Sequence, residues 1–173
     1  MTQLSGGTTV VRRVQLADAA RMRALRLEML ADSPLAFIER LADAAARPHD
    51  EYARRVAQAA TGRYLAQFVA EEPGGRLVAH AGGHEARDDP ATTVLFAIYI
   101  SPPWRGQGLL PALIDAVGAW SRSVNRPRLL LEVVVGNDRA VRAYSRLGFV
   151  DTGARLPHPS VPTLTELQMR RAA

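Results

Sequence analysis

Residues 129–149 read LLLEVVVGNDRAVRAYSRLGF. Three leucines run into Val133, Val134 and Val135, and this β-branched, apolar run predicts a buried strand over residues 128–135. Glu132 is the one charge in it, and a carboxylate there is costly unless it is paired or faces a polar cleft. Gly136 breaks the strand. Asn137 is a good helix N-cap. Ala140, Tyr144 and Leu147 share one face at helical spacing, which predicts a helix over 137–147. Gly148-Phe149 ends the unit, so the stretch is strand, turn, helix, exit.

A second unit of the same kind lies upstream. Residues 92–100, TTVLFAIYI, form a nearly continuous β-branched and aromatic run, as expected of a central strand covered on both faces. Residues 102–117, PPWRGQGLLPALIDAV, then give a Pro/Gly-rich loop that opens a helix from 109 to about 123. Free amides at a helix N-terminus attract anions, and glycines let a phosphate approach the backbone. The loop is neither GxxxxGK[ST] nor GxGxxG, because Leu109-Leu110-Pro111 follow Gly106-Gln107-Gly108. An ordinary tight strand-to-helix turn accounts for it equally well.

The rest of the chain supplies a strand at 8–14 and a helix from Asp18 to about 31 with Met22, Leu25 and Met29 on one face. Asp32-Ser33-Pro34 breaks that helix, residues 35–47 are ambiguous, and Pro48 opens a helix over 50–60 with Gly62 at its end. Residues 63–71 and 76–82 flank Pro73-Gly74-Gly75 as a hairpin, and two last strands fall at 149–153 and 163–170. Strands and helices in this order make a mixed sheet with helices packed on it.

At 173 residues, 47% hydrophobic and 23% charged, the chain is expected to be a single domain, 1–173, with a flexible tail over 1–7. No run is long and apolar enough for a transmembrane helix, and the first residues lack the apolar core of a secretory signal. The expectation is a cytoplasmic protein without membrane partners. The absence of cysteine removes disulfides, thiolate metal sites and acyl-cysteine intermediates. All 22 basic residues are arginine, as a GC-rich, bacterial genome would favour, and the net charge is +5. Arginine suits phosphate-bearing partners, but these arginines are scattered, so nucleic acid is not an expected partner. His49, His80, His84 and His158 show no metal-ligand spacing, and no metal is predicted.

Together the two units resemble the GNAT acetyltransferases. RGQGLL resembles their acetyl-CoA loop, [Q/R]-x-x-G-x-[G/A], through Arg105 and Gly108; Leu110 departs from it. Asn137, Ala140, Tyr144, Gly148 and Phe149 stand at the spacing of the family's second motif, and residues 24–37 resemble the start of a group of small bacterial members. The resemblance implies an α/β (α+β) fold, a mixed, mostly antiparallel twisted sheet of about seven strands with about four helices. It implies acetyl-CoA as cosubstrate, with Arg105, Gly106, Gln107, Gly108, Leu109 and Leu110 around the pyrophosphate. Ile98 and Ile100 would offer backbone groups to pantetheine, Asn137 would orient CoA or cap its helix, and Arg139 and Arg142 would face the 3′-phosphate or be plain surface charge.

Acetyl transfer needs a proton removed from the amine, a stabilised carbonyl oxygen and a proton for the thiolate. Tyr144 is the candidate general acid, or a packing tyrosine. Glu132 is the candidate general base, or an acid paired with an arginine on the sheet. Glu39 and Glu85 are candidate acceptor-binding acids, Glu85 within an acidic loop with His84, Asp88 and Asp89; Phe37 and Trp104 are candidate pocket walls. The expected activity is N-acetylation of a primary amine, small molecule or peptide, by direct attack. The alternative is a weak or inactive CoA-binding regulatory domain, which Leu110 and Pro111 favour. A homodimer is the expected assembly.

Overall fold

Apolar stripes at helical and strand spacing dictate where the layers meet in the computed structural model, which describes residues 8–173. The tail expected over 1–7 lies outside the described residues. The elements are β1 (Val10–Arg13), α1 (Ala19–Asp32), α2 (Leu41–Ala46), α3 (His49–Thr61), β2 (Leu65–Glu71), β3 (Leu77–Ala86), β4 (Asp89–Ile100), α4 (Leu109–Ser123), β5 (Arg128–Val134), α5 (Asp138–Arg146), β6 (Val150–Pro157) and β7 (Thr165–Ala172). The sheet runs β1-β2-β3-β4-β5-β7-β6. Its pairings are antiparallel except β4 with β5.

Met22, Leu25 and Met29 of α1 bury their stripe with Val56 and Ala59 of α3 against Val69, Leu77 and Tyr99. On the opposite face Leu113, Ile114, Val117 and Trp120 of α4 pack on Ala79, Ala81 and Leu95. Full burial of each such aliphatic side chain stabilises by about 1.5–3 kcal/mol. No helix among the described residues is long and apolar enough to cross a membrane.

Several boundaries differ from the sequence reading, each for a tertiary reason. The ambiguous 35–47 stretch contains α2, a fifth helix, tied down by the Tyr52 hydroxyl, which donates to Ala44 O at 3.0 Å. β3 runs to Ala86 because it pairs along β4, so His84 and Glu85 are strand residues rather than loop. β6 extends to Pro157 by pairing with β7. Gly62 ends α3 for lack of space, since a Cβ there would lie 2.3 Å from Gln58 O. β5 is covered on one face only: Leu129, Leu131 and Val133 are buried in the α4–α5 layer, whereas Glu132 is exposed on the other.

Two features open the sheet at its centre. β4 and β5 pair only over Thr92–Val94 and Arg128–Leu130, then separate. The β3–β4 register slips between His80 and Gly82. At that slip Ala97 sits at φ 49°, a left-handed conformation that side chains rarely adopt.

Candidate active site

The separated strands leave a cleft. On one side, the cleft of about 560 Å³ is lined by Ile98 to Ile100, Arg105, Gly106, Gly108 to Pro111 and the exposed face of α5. Gly106 and Gly108 have φ of 78° and 81°, and no atom lies within 4 Å of where their Cβ would be. Glycine is therefore required by conformation, and the empty space is on the side a ligand would take. The amides of Gly106, Gly108, Leu109 and Leu110 make no backbone hydrogen bond among the described residues, which leaves them as donors at the start of α4. Pro111 lacks an N–H in any case, and Ala112 N bonds Gly108 O at 3.4 Å. Leu110 packs partly against the main core, which takes bulk away from the loop.

Arg105 points back along the loop. Its Nε donates to Ile100 O at 2.9 Å and its Nη2 to Asp32 at 2.6 Å. Its guanidinium thus clamps the loop to the ends of β4 and α1, and the donors left for an anion are mainly backbone. The Gln107 side chain turns to Pro103 O at 2.8 Å, away from the cleft. Asn137 caps α5, accepting from Ala140 N at 3.2 Å, and also lines the cleft. Arg139 lies on the rim with Ala143 and Arg146, one helix face at spacings of four and seven. Arg146 was not anticipated, although its spacing from Arg139 was a readable signal.

A second, smaller cavity of about 200 Å³ lies through the gap, lined by Phe37, Phe96, Glu132, Val134 and Glu166 among others. The two cavities share Ala36, Phe37, Ile98, Asn137, Ala140 and Tyr144 as walls. Tyr144 therefore faces both. Its ring packs edge-on against Phe149, centroids 5.9 Å apart, and its hydroxyl makes no hydrogen bond to the described residues. Burial pushes the phenol up to about 12, so it keeps its proton across the neutral range.

Glu132 projects from β5 into the small cavity, opposite Gln168 of β7. The arginine pairing that the sequence left open is absent among the described residues. Glu166 is the acid that sequence reasoning missed. It shares that face two residues along β7, and burial first, then the charge of Glu132, raises its carboxyl above the usual range. Its sequence surroundings, TLTELQM, say nothing of a partner on another strand.

The two candidate acceptor acids lie elsewhere. Glu39 is held by Arg47 and by Arg26 at 2.8 Å, which ties it to α1 and to the junction between α2 and α3. That position leaves its carboxylate fully engaged rather than facing the cavity. Glu85 bonds the buried Arg126 at 2.8 Å, and Asp89 is bidentate to Arg128. The acidic stretch is thus spent on structure around the β3–β4 hairpin. Phe37 does line the cavity, but Trp104 packs against the main core instead.

His80 supports the opening from behind. It is buried, its Nδ1 lies 2.6 Å from Ala97 O, and its Nε2 has no partner among the described residues. Ala97 O can only accept, so Nδ1 carries the proton and holds the strained bulge in place. Burial, with Arg26 nearby, lowers the imidazole to about 4, so the ring is neutral.

A model of the acetyltransferase (GNAT) family matches residues 28–149, which take in the glycine loop, the splayed strands and α5. The chain belongs to the GNAT acetyltransferase family, whose cosubstrate is acetyl-CoA. Mouse N-acetyltransferase family 8 member 5 is 33% identical over 89 residues, and the chain spans 39% of that relative's length. Among solved structures, yncA of Salmonella typhimurium, solved with its cofactor acetyl-CoA, is 19% identical at a TM-score of 0.75, covering 96% of this chain and 94% of that one. Vibrio cholerae spermidine N-acetyltransferase, in complex with CoA and spermine, is 19% identical at 0.72 over 95% of each chain. At these identities the likeness is one of fold.

Proposed function

We propose that this chain transfers the acetyl group of acetyl-CoA to the primary amine of a small acceptor by direct attack in a ternary complex. The observation that carries this reading is the continuity of the two cavities through the β4–β5 gap, with Tyr144 on their shared wall. CoA occupies the larger cleft, its pyrophosphate on the free amides of 106–110 and its 3′-phosphate near Arg139 and Arg146. Pantetheine runs along the β4 edge beyond Val94, which β5 leaves unpaired. The thioester then reaches the gap.

The acceptor enters from the side of Phe37 and Phe96. Glu132 takes a proton from its ammonium, the freed amine forms an N–C bond to the carbonyl carbon, and the C–S bond breaks. Tyr144 gives its proton to the departing thiolate, and the extra proton on the new amide nitrogen passes to solvent, from which the phenolate is reprotonated. The chain has no cysteine, so no acyl-cysteine forms on the way.

Isothermal titration of acetyl-CoA tests the cleft before any acceptor is known. Micromolar binding is expected, followed by thiol release in a screen of primary amines. No binding at millimolar ligand would overturn the reading.

A further inference from the structure

The small cavity holds two carboxylates that the family motifs do not account for as a pair. Glu132 and Glu166 lie on the same face of adjacent strands, two registers apart, because Glu132 pairs with Gln168 and Val134 with Glu166. The reverse face of both strands is the buried one, carrying Leu131, Val133, Leu167 and Met169. The register therefore forces both acids towards the cavity. Nothing among the described residues neutralises either with an arginine, in a chain where arginine pairs most other buried or half-buried acids.

The group behind Glu166 is His158. Its side chain is only 3% exposed. Its Nδ1 accepts two backbone N–H groups, from Ser160 at 3.1 Å and Val161 at 3.0 Å. The two N–H groups share the single lone pair of Nδ1, so the ring's proton sits on Nε2. That Nε2–H makes no hydrogen bond among the described residues, and it faces the nearer Glu166 oxygen at 3.9 Å. No side-chain hydrogen bond among the described residues reaches Glu166, so His158 is its one ion-pair partner there. His158 thus stands within ion-pair distance of Glu166, which lines the same cavity as Tyr144.

Resting on the acetyltransferase reading above, we propose that Glu166, positioned by His158, is the specificity-determining residue of the acceptor site and selects small cationic amines. Glu132 receives the proton of the reacting nitrogen, and Glu166 supplies the charge that holds the cation. The walls Phe37 and Phe96 add apolar and π surface that suits a cation carried on a short alkyl chain. An acceptor bearing its own carboxylate meets two acids in a cavity of about 200 Å³ and is repelled.

Three isosteric probes read this directly: 1,4-diaminobutane, n-butylamine and 4-aminobutanoate. The wild-type kcat/KM is expected to fall in that order. Glu166→Gln should raise the KM for 1,4-diaminobutane about ten-fold, the scale of one lost charge-assisted contact, and should narrow its advantage over 4-aminobutanoate. Glu132→Gln should act on kcat instead.

His158→Asn separates positioning from folding, since an amide oxygen can still accept from Ser160 and Val161 while the donor towards Glu166 is lost. Glu132 and His158 are the charged and titratable groups that bear on Glu166. Protonated Glu166 cannot hold the cation, so kcat/KM should fall on the acid side, and in His158→Asn that fall should begin at higher pH. Equal wild-type rates for the diamine and the amino acid, or a Glu166→Gln variant with wild-type preference, would overturn the proposal. Titration of 1,4-diaminobutane into the protein–CoA complex gives the same answer without turnover: a Kd about ten-fold weaker in Glu166→Gln than in wild type supports it, and equal Kd values overturn it. A protein that binds CoA and the diamine but acetylates nothing would instead defeat the acetyltransferase reading.

Discussion

The two sides of the cleft are built on opposite plans. The proposed CoA side is one stretch of chain, residues 105–110 and the helix they open, and it offers backbone amides and two positive-φ glycines. The proposed acceptor side draws on side chains of Phe37, Phe96, Glu132 and Glu166, with His158 beside Glu166, brought together from separate segments of chain. A backbone site tolerates changes of side chain, so a Leu can stand at 110 and pack into the core. A side-chain site does not. The common part of the substrate is met by the first plan and the variable part by the second.

Tyr144 stands where the two plans meet, and its substitution should show the largest effect. With the phenol held up to about 12 by burial, the acid is fully protonated at neutral pH. Tyr144→Phe should lower kcat about 10²-fold, the usual scale of general-acid catalysis. The Kd for acetyl-CoA should stay within about two-fold, because the ring remains. An unchanged kcat would remove the phenol from the reaction and leave Tyr144 as a wall.

The backbone plan can be broken at one atom. Gly108 has φ 81° with no atom within 4 Å of its Cβ position, and Gly148 matches it at φ 86°, also with open space. Alanine in this region costs about 1–2 kcal/mol at either site. At 108 the free loop can relax, and binding must restore the strained form. Gly108→Ala should weaken acetyl-CoA roughly ten-fold, the equivalent of about 1.4 kcal/mol. Gly148→Ala should instead lower stability and leave the Kd alone. Equal CoA affinities in Gly108→Ala and wild type would mean that the loop is not the phosphate site.

This contrast also explains what could be read from the sequence. The strand-loop-helix units at 92–123 and 128–147 were legible because each is local: β-branched runs, a glycine at the turn, an N-cap at Asn137. Arg105 and Tyr144 were legible by motif, although the clamp of Arg105 on Asp32 was not, since Asp32 is 73 residues away. Glu166 was invisible for a stronger reason. Its significance lies in a β5–β7 register and in a histidine eight residues before it across a loop, and neither leaves a local pattern. Glu39 and Glu85 show the reverse error, acids conspicuous in sequence whose charges are taken up by Arg26, Arg47 and Arg126. Acidity alone did not distinguish a free carboxylate from a paired one; only the positions of the arginines did.

The smallest expected effect concerns the seam itself. His80 holds Ala97 O at the bulge that parts β4 from β5, and burial keeps its imidazole at about 4, below the ordinary 6.5. As pH falls below 6.5 the unfolded chain takes up a proton at this residue and the folded protein does not, so stability falls with pH down to about 4. Between pH 7.5 and 6 this amounts to about 0.8 kcal/mol, or roughly 2–3 °C in Tm for a chain of this size. His80→Asn can still donate to Ala97 O but cannot titrate. Its Tm should depend on pH less steeply than that of wild type over this interval, by about that amount. Its kcat should survive if the bulge is held by one donated hydrogen bond. Identical pH slopes in the two proteins would show that His80 is not buried as a neutral ring. A matched slope loss with kcat lost as well would show that the opening needs the imidazole and not merely its donor.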